Sequence, residues 1–327
     1  MRRSLLLLLS MTFLGCGAGQ VQVVSRGIFT EKPGNVAAYV AVSEHNKALT
    51  GLTADNFRIY EDEQLIPPDN SRQVLLDKEL ANAHRAVLLI DQSAATDEKI
   101  RTELANALSF FVGRVRKTQA ISIYAFDGRK ELRLVADLEK QAEPVDLKKQ
   151  FFDSLVPADT SRNLNGAVAL GLKKLDETYH HGRAPMRAGT LVVFAAGPDL
   201  AGRVDEDSVR RQIQESEYSI ITVGLGDTAP ALKDFGRDGF VDGFSVDTVS
   251  MAFEEAGYLV EDEYQRHYLL AYCSPARAAE RSLRIEVAKL PEQEHADGSS
   301  EELGPFSARG FSEGCDPNRK PNFKTAK

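Results

Sequence analysis

A continuous apolar run at residues 86–90 ends in the carboxylate Asp91, and strand and helix patterns alternate from there to about residue 261. Apolar residues after Asp91 recur at helical spacing on one stripe: Ile100, Leu104, Ala107, Leu108, Phe111 and Val115. We predict further strands at 121–126, 190–194, 219–223 and 240–241, and further helices at about 164–179, 208–215 and 246–261. Such alternation predicts a doubly wound α/β domain with a mostly parallel sheet and helices on both faces.

A turn signal at Asp127-Gly128 follows the strand predicted at 121–126. It predicts that residues 132–135 fold back on that strand as a hairpin, giving the sheet an antiparallel edge.

The segments on either side of this alternation have β patterns only. Residues 36–42 and 57–61 read as strands, and residues 268–272 and 283–287 return to a strand pattern after the last helix. The two late strands either pair with each other or add to the N-terminal β region. The predicted organisation is a linker at 16–33, a small β-sandwich-like region at 34–82, the α/β domain at 83–264, a C-terminal β segment at 265–318 and a disordered tail at 319–327.

The residues Asp91-Gln92-Ser93, at the carboxyl end of a predicted strand, resemble a known binding motif. The sequence Asp-x-Ser-x-Ser at this place opens the metal-ion-dependent adhesion site of von Willebrand factor A domains. The chain resembles bacterial lipoproteins of this family over about residues 35–275, and residues 49–62 are similar to a small β-sandwich that precedes some of these domains. The resemblance implies the von Willebrand A fold and, by analogy of fold only, a role in protein–protein interaction.

Three loops supply the ligands of this site in the family, and three of five positions differ here. Ala95 stands at the second serine, Arg162 at the threonine of the second loop and Ala196 at the metal-side aspartate, whereas Asp199 keeps the outer aspartate. Magnesium needs six oxygens in a near-octahedral array, which alanine and a guanidinium do not supply. The sequence therefore predicts no bound metal and no other cofactor, unless a two-residue shift of the second loop brings Thr160 to the threonine position.

The positive charge of Arg162 indicates a substitute for the missing cation. Its guanidinium would lie where the cation lies in the family and would neutralise Asp91 through charge-assisted hydrogen bonds. The alternative is that Arg162 points to solvent, where an ion pair contributes little.

The first residues have the pattern of a secretion signal, with a basic start, an apolar stretch at 5–9 and a cysteine after a small residue. Residues 13–16 resemble the lipobox of bacterial lipoproteins, although Phe13 stands where leucine is usual. The resemblance implies a signal peptide at 1–15, lipidation of Cys16 and, since Gly17 follows, the outer-membrane class. The alternative is an ordinary signal peptide that is removed together with Cys16.

Two cysteines, Cys273 and Cys315, remain when Cys16 is set aside. An even number of cysteines in an oxidising compartment predicts a disulfide, which would close the C-terminal β segment. The lack of a CxxC spacing argues against a zinc site and against a redox motif.

Charge and motif content argue against several classes of function. The formal net charge of −8 argues against nucleic acid as a partner. The residues Gly224-x-Gly226-x-x-Ala229 resemble a dinucleotide fingerprint, but they follow a late strand, so a turn is the better interpretation. No G-x-S-x-G elbow surrounds Ser93, and no histidine lies in an HExxH frame, so the sequence gives no motif for hydrolysis.

These observations favour a non-enzymatic, lipid-anchored module that binds or scaffolds proteins in the bacterial cell envelope, at the outer membrane. The expected partners are an unidentified envelope protein and the membrane itself, through the N-terminal lipid. The alternatives are a hydrolase or other enzyme on the same fold, and a purely structural envelope component.

Overall fold

The computed structural model of this 327-residue chain describes residues 21–95, 97–143, 145–180, 188–225, 230–243 and 248–321. The predicted signal peptide, Cys16, residues 226–229 of the glycine pattern and residues 322–327 of the predicted tail lie outside the described residues. None of the described helices has the length and apolar character needed to cross a bilayer.

The N-terminal part of the described chain consists of strands joined by tight turns. They are β1 (Val21–Glu31), β2 (Asn35–Glu44), β3 (Lys47–Ala48), β4 (Phe57–Glu61), β5 (Gln64–Ile66) and β6 (Val74–Leu76), with the short helix α1 (Pro68–Ser71) before β6. The prediction of a linker at 16–33 is wrong for residues 21–31, because this segment pairs with β2 along its length. Burial of Val21 and Val23 stabilises it there.

The central α/β domain has the predicted alternation of strands and helices. It contains β7 (Arg85–Asp91), α2 (Glu98–Val115), β8 (Ala120–Phe126), β9 (Arg133–Leu138), α3 (Lys148–Ser154), α4 (Leu164–His180), β10 (Gly189–Ala195), α5 (Glu206–Glu215), β11 (Ser219–Gly224), α6 (Pro230–Phe235), β12 (Gly239–Asp242) and α7 (Val249–Gln265). The strand order is β12-β11-β10-β7-β8-β9, and every pairing is parallel except the predicted hairpin of β8 with β9. Apolar clusters cover both faces of this sheet. The fold class is therefore α/β with a doubly wound, mostly parallel sheet.

The C-terminal strands complete the N-terminal β region. They are β13 (His267–Cys273), β14 (Glu280–Val287), β15 (Gly298–Ser299) and β16 (Gly304–Ser307). One sheet has the order β1-β2-β13-β6 with β3 beside β2, and the other has the order β15-β14-β4-β5 with β16 beside β14. The two late strands thus add to the N-terminal region and do not pair with each other. An apolar core lies between these two sheets, so the chain ends form one β-sandwich.

The predicted disulfide is present and joins Cys273 at the end of β13 to Cys315, with their Cα atoms 5.8 Å apart. It fastens the C-terminal segment to the first sheet of the sandwich. The prediction of a disordered tail from residue 319 is wrong at its first residue, because Arg319 forms an ion pair of 2.8 Å with Glu31 of β1.

Candidate functional site

The first site loop begins where β7 ends. Asp91 is the last residue of this buried strand, and its side chain is inaccessible to solvent. Its Oδ1 accepts hydrogen bonds from the backbone N–H of Ser93 at 2.9 Å and from Ser93 Oγ at 2.6 Å. The carboxylate is therefore held rigidly at the carboxyl edge of the sheet, where open α/β sheets bind ligands.

The second loop brings Arg162 into contact with this carboxylate, just before α4 begins. Arg162 Nε lies 2.5 Å from Asp91 Oδ2, Nη2 donates to Ser93 Oγ at 2.8 Å, and Nη1 donates to the carbonyl oxygen of Pro198 at 3.2 Å. Only 10% of the Arg162 side chain is exposed. One guanidinium thus joins all three loops, and the arrangement with Arg162 in solvent is not the one observed.

The third loop closes over the guanidinium. The backbone N–H of Ala196 donates to Asp91 Oδ2 at 3.1 Å, so the backbone at this position contacts Asp91 although no aspartate side chain is present. A Cβ on Gly197 would lie 2.8 Å from Arg162 Nη1, so glycine allows the close approach. Asp199 accepts from the backbone N–H of Asn165 at 3.1 Å and of Gly202 at 2.7 Å. It therefore fixes the loop and the start of α4.

The remaining two predicted positions lie apart from this contact. Ala95 is buried in the apolar core on one face of the sheet, where a serine hydroxyl would need a partner. Thr160 is exposed on the second loop. The loop places Arg162, and not Thr160, against Asp91, so the two-residue shift does not occur.

The oxygens of the first loop are already hydrogen-bonded. Asp91 accepts from Ser93, Arg162 and Ala196, and Ser93 Oγ both donates to Asp91 and accepts from Arg162. A cation could reach these oxygens only by displacing the guanidinium. Within the described parts of the chain, no three His, Cys, Asp or Glu residues group as metal ligands.

No protein-family model matches the chain, and no curated protein matches it in sequence. Similar solved structures include a von Willebrand factor type A protein from Catenulispora acidiphila, at 11% identity and a TM-score of 0.44, which covers 91% of this chain and 75% of that one. Proximal thread matrix protein 1 from the mussel byssus has 15% identity, a TM-score of 0.44 and coverage of 62% and 51%. The PilB minor pilin from Streptococcus sanguinis has 8% identity, a TM-score of 0.42 and coverage of 75% and 79%.

The central strand order, read from β9 to β12, is 3-2-1-4-5-6 in the domain's own order of strands. This is the strand order of a doubly wound α/β sheet. This chain spans about half the length of the mussel protein, of which one structure has zinc in its MIDAS motif. The likenesses concern the fold and say nothing about the function of this chain.

A second acidic loop beside the site was not found by sequence reasoning. Asp127, buried at the end of β8, is bound through both oxygens by Arg129 Nε at 3.0 Å and accepts from the backbone N–H of Ala158 at 3.0 Å. Burial alone would raise the pKa of Asp127, but these hydrogen bonds outweigh it and hold the pKa below its usual value. Asp159 binds Ser161 as Asp91 binds Ser93. The Asp-x-Ser spacing of Asp91 recurs at Asp159 and is the signal that could have revealed that residue, whereas Asp127 is followed by Gly128 and Arg129 and has no such spacing.

Proposed function

We propose that this chain is a lipid-anchored, extracytoplasmic protein-binding module whose von Willebrand A-like domain works without a bound cation. The observation that carries the proposal is the position of Arg162, whose guanidinium bonds to Asp91, Ser93 and the Pro198 carbonyl. It supplies the positive charge that neutralises the buried carboxylate, and this is the electrostatic role of a cation in such a site.

The substitutions act together against metal binding. A cation at Asp91 would have to displace a guanidinium held by three hydrogen bonds, and Ala95 and Ala196 would offer it no side-chain oxygen in return. Hard cations of this kind need several oxygen ligands at short distance, so the exchange is unfavourable.

The surface around Arg162 supports protein binding. Val156 and Leu200 are 52% and 63% exposed on the loops that flank the site. Their backbones are fixed, because the carbonyl of Val156 accepts from Gln92 Nε2 at 3.0 Å and the N–H of Leu200 donates to the carbonyl of Arg162 at 2.8 Å. Exposed apolar side chains on an ordered backbone suit contact with another protein, because little ordering is needed on binding.

Hydrolysis has less support than binding. The Ser93 hydroxyl donates to Asp91 and accepts from Arg162, so its partners in the site are an acid already paired and a permanent cation. Neither activates a serine as a base would. A screen of hydrolase substrates, with Ser93→Ala as the comparison, should detect no activity that depends on this hydroxyl.

Lipidation at Cys16 would place the β-sandwich close to the membrane. Four residues lie between Cys16 and Val21, the first residue of β1, and the five steps from one to the other span at most about 17 Å in an extended chain. Mass spectrometry of the mature N-terminus tests this part, with Cys16→Ser as the control. An N-terminus beyond residue 16 without acyl chains would contradict lipid anchoring.

Metal independence is tested by titration calorimetry with magnesium, manganese and calcium. We expect no saturable heat with the wild type and measurable heat with the triple variant Ala95→Ser, Arg162→Thr, Ala196→Asp, which restores the family's ligands. Saturable binding to the wild type that Asp91→Asn abolishes would contradict the proposal.

Partner binding is tested by recovery of envelope proteins with the lipidated chain in the presence of a chelator. A specific partner should be retained in chelator and lost when Val156 and Leu200 are both changed to Asp. Retention that requires a divalent cation would contradict metal-independent binding, and no retained partner at all would favour a structural envelope role.

A further inference from the structure

A cleft of about 640 Å³ lies between the first sheet of the sandwich and the amino edge of the central sheet. Its walls come from β1, β2, the starts of β10 and β11, and the junction of α7 with β13. It is therefore at the opposite end of the central strands from Arg162. The polar and aromatic side chains of its wall include Ser25, Arg26, Phe29, Tyr39, Glu263 and His267.

His267, which lines this cleft, carries a buried ring nitrogen without a hydrogen-bond partner in the described part of the chain. Its side chain is 1% exposed, and its ring stacks on Tyr39 with centroids 5.2 Å apart. The Nδ1 atom lies 2.8 Å from the carbonyl oxygen of Glu263, which only accepts, so Nδ1 carries the proton and Nε2 is an acceptor. Among the described residues, nothing donates to His267 Nε2. Buried polar atoms usually have a partner, so this lone pair indicates a missing one.

Glu263 presents a second acceptor beside it. One carboxylate oxygen, Oε2, faces Arg266 Nη1 at 3.3 Å, whereas Oε1 lies 3.9 Å from His267 Nε2 and 3.9 Å from Arg26 Nη2. These two distances of 3.9 Å are too long for hydrogen bonds. Burial raises the pKa of Glu263 even though Ser219, Arg266 and Arg26 act to lower it, so the carboxylate would gain from a further positive group. Two acceptors and one guanidinium thus surround a gap that a small polar group would fill.

We propose that this cleft binds a free α-amino acid. The ammonium group would donate to Glu263 Oε1 and His267 Nε2, and the carboxylate would accept from Arg26. In an α-amino acid the ammonium and carboxylate groups are attached to the same carbon atom. This short separation matches the adjacent positions of Glu263, which would bind the ammonium, and Arg26, which would bind the carboxylate. A metal ion fits less well because Arg26 and Arg266 flank the carboxylate, and a simple anion fits less well because Glu263 repels it. Phe29, which lines the cleft and is only partly buried, supplies apolar wall for a side chain.

The test is a screen of the twenty amino acids against the full chain by thermal shift, followed by titration calorimetry of those that stabilise it. We expect at least one to bind with a dissociation constant between about 1 µM and 1 mM. Glu263→Gln and Arg26→Ala should each weaken binding at least about tenfold, because each removes a charge-assisted hydrogen bond. Glu254→Gln, on the exposed face of the same helix as Glu263, is the matched control and should bind as the wild type does.

Analogues of the bound amino acid that lack either the ammonium or the carboxylate should bind at least about tenfold more weakly. Arg26 is partly exposed on β1, so its alanine variant keeps the test decisive if Glu263→Gln does not fold. Failure of all twenty amino acids to bind the folded chain would overturn the proposal. So would a single-charge analogue that binds equally well, unchanged affinity in the Arg26 variant, or a crystal structure grown with the amino acid in which water alone fills the gap.

Discussion

Replacing Arg162 with alanine should destabilise the central domain strongly, because it leaves a buried carboxylate without its counter-charge. Asp91 is fully buried, and without the guanidinium it keeps only the Ser93 and Ala196 donors. Removing one partner of a buried ion pair costs about 3–5 kcal/mol. The Arg162 pair fits this class because both of its side chains are shielded from water.

Urea denaturation followed by far-UV circular dichroism measures this cost, since the chain has no tryptophan for fluorescence. Arg210→Ala is the matched control, because Arg210 on α5 pairs with Glu206 and Asp234, whose side chains are 46% and 54% exposed. Exposed pairs of this kind contribute less than about 1 kcal/mol.

A double-mutant cycle separates the ion pair from the lost packing. Arg162→Met keeps the volume of the side chain and removes the charge, and Asp91→Asn removes the opposite charge. The double variant should lose less stability than the two single losses combined, because neither charge is then left unpaired. Strict additivity, or a cost for Arg162→Ala no larger than that for Arg210→Ala, would refute the reasoning.

Three further predictions concern stability. Gly197→Ala should cost about 1–3 kcal/mol in the same titration, because its Cβ would crowd Arg162 Nη1 at 2.8 Å; an unchanged midpoint would contradict this. Burial lowers the pKa of His84 to about 3 and that of His267 well below 6.5, so both stay neutral in the folded chain and gain protons on unfolding. Stability should therefore hold above pH 6.5 and fall by about 2 kcal/mol at pH 5 from His84 alone, with His267 acting in the same direction; melts across this range should show the slope, and His84→Gln should reduce it. Cys315→Ser should cost about 4 kcal/mol, since the cysteines are 42 residues apart; melts insensitive to reductant would contradict it.

The sequence predicts the central domain well because its signals are local. The strand β7 is a continuous apolar run, the helix α2 has an apolar stripe, and each loop of the site follows or precedes such an element. The sequence was therefore enough to place Arg162 on the second site loop, just before α4. It was not enough to predict the contacts of Arg162 with Ser93 and Pro198, because these contacts depend on how three separate loops approach each other.

The β-sandwich was harder to predict because its partners are distant in sequence. The strand β1 lies at a sheet edge, and β13 lies between β2 and β6 although more than 190 residues separate it from β6. The strand β15 has only two residues and no pattern to detect. The cleft was hard to predict for the same reason, because its residues are distant in sequence. Arg26 meets Glu263 and His267 only when β13 enters the first sheet of the sandwich.

A guanidinium in place of a cation changes how such a site could bind a partner. A metal ion can take a partner's carboxylate as an additional ligand, whereas Arg162 already directs its three nitrogen atoms at Asp91, Ser93 and Pro198. The binding energy at this edge must therefore come from the surrounding surface, where Leu200 is 63% exposed. Leu200→Asp should then weaken partner binding without lowering stability, because an exposed side chain contributes little to folding. Loss of Arg162 should have the opposite effect. It should lower the stability of the domain, and it should weaken partner binding only because less of the protein is folded.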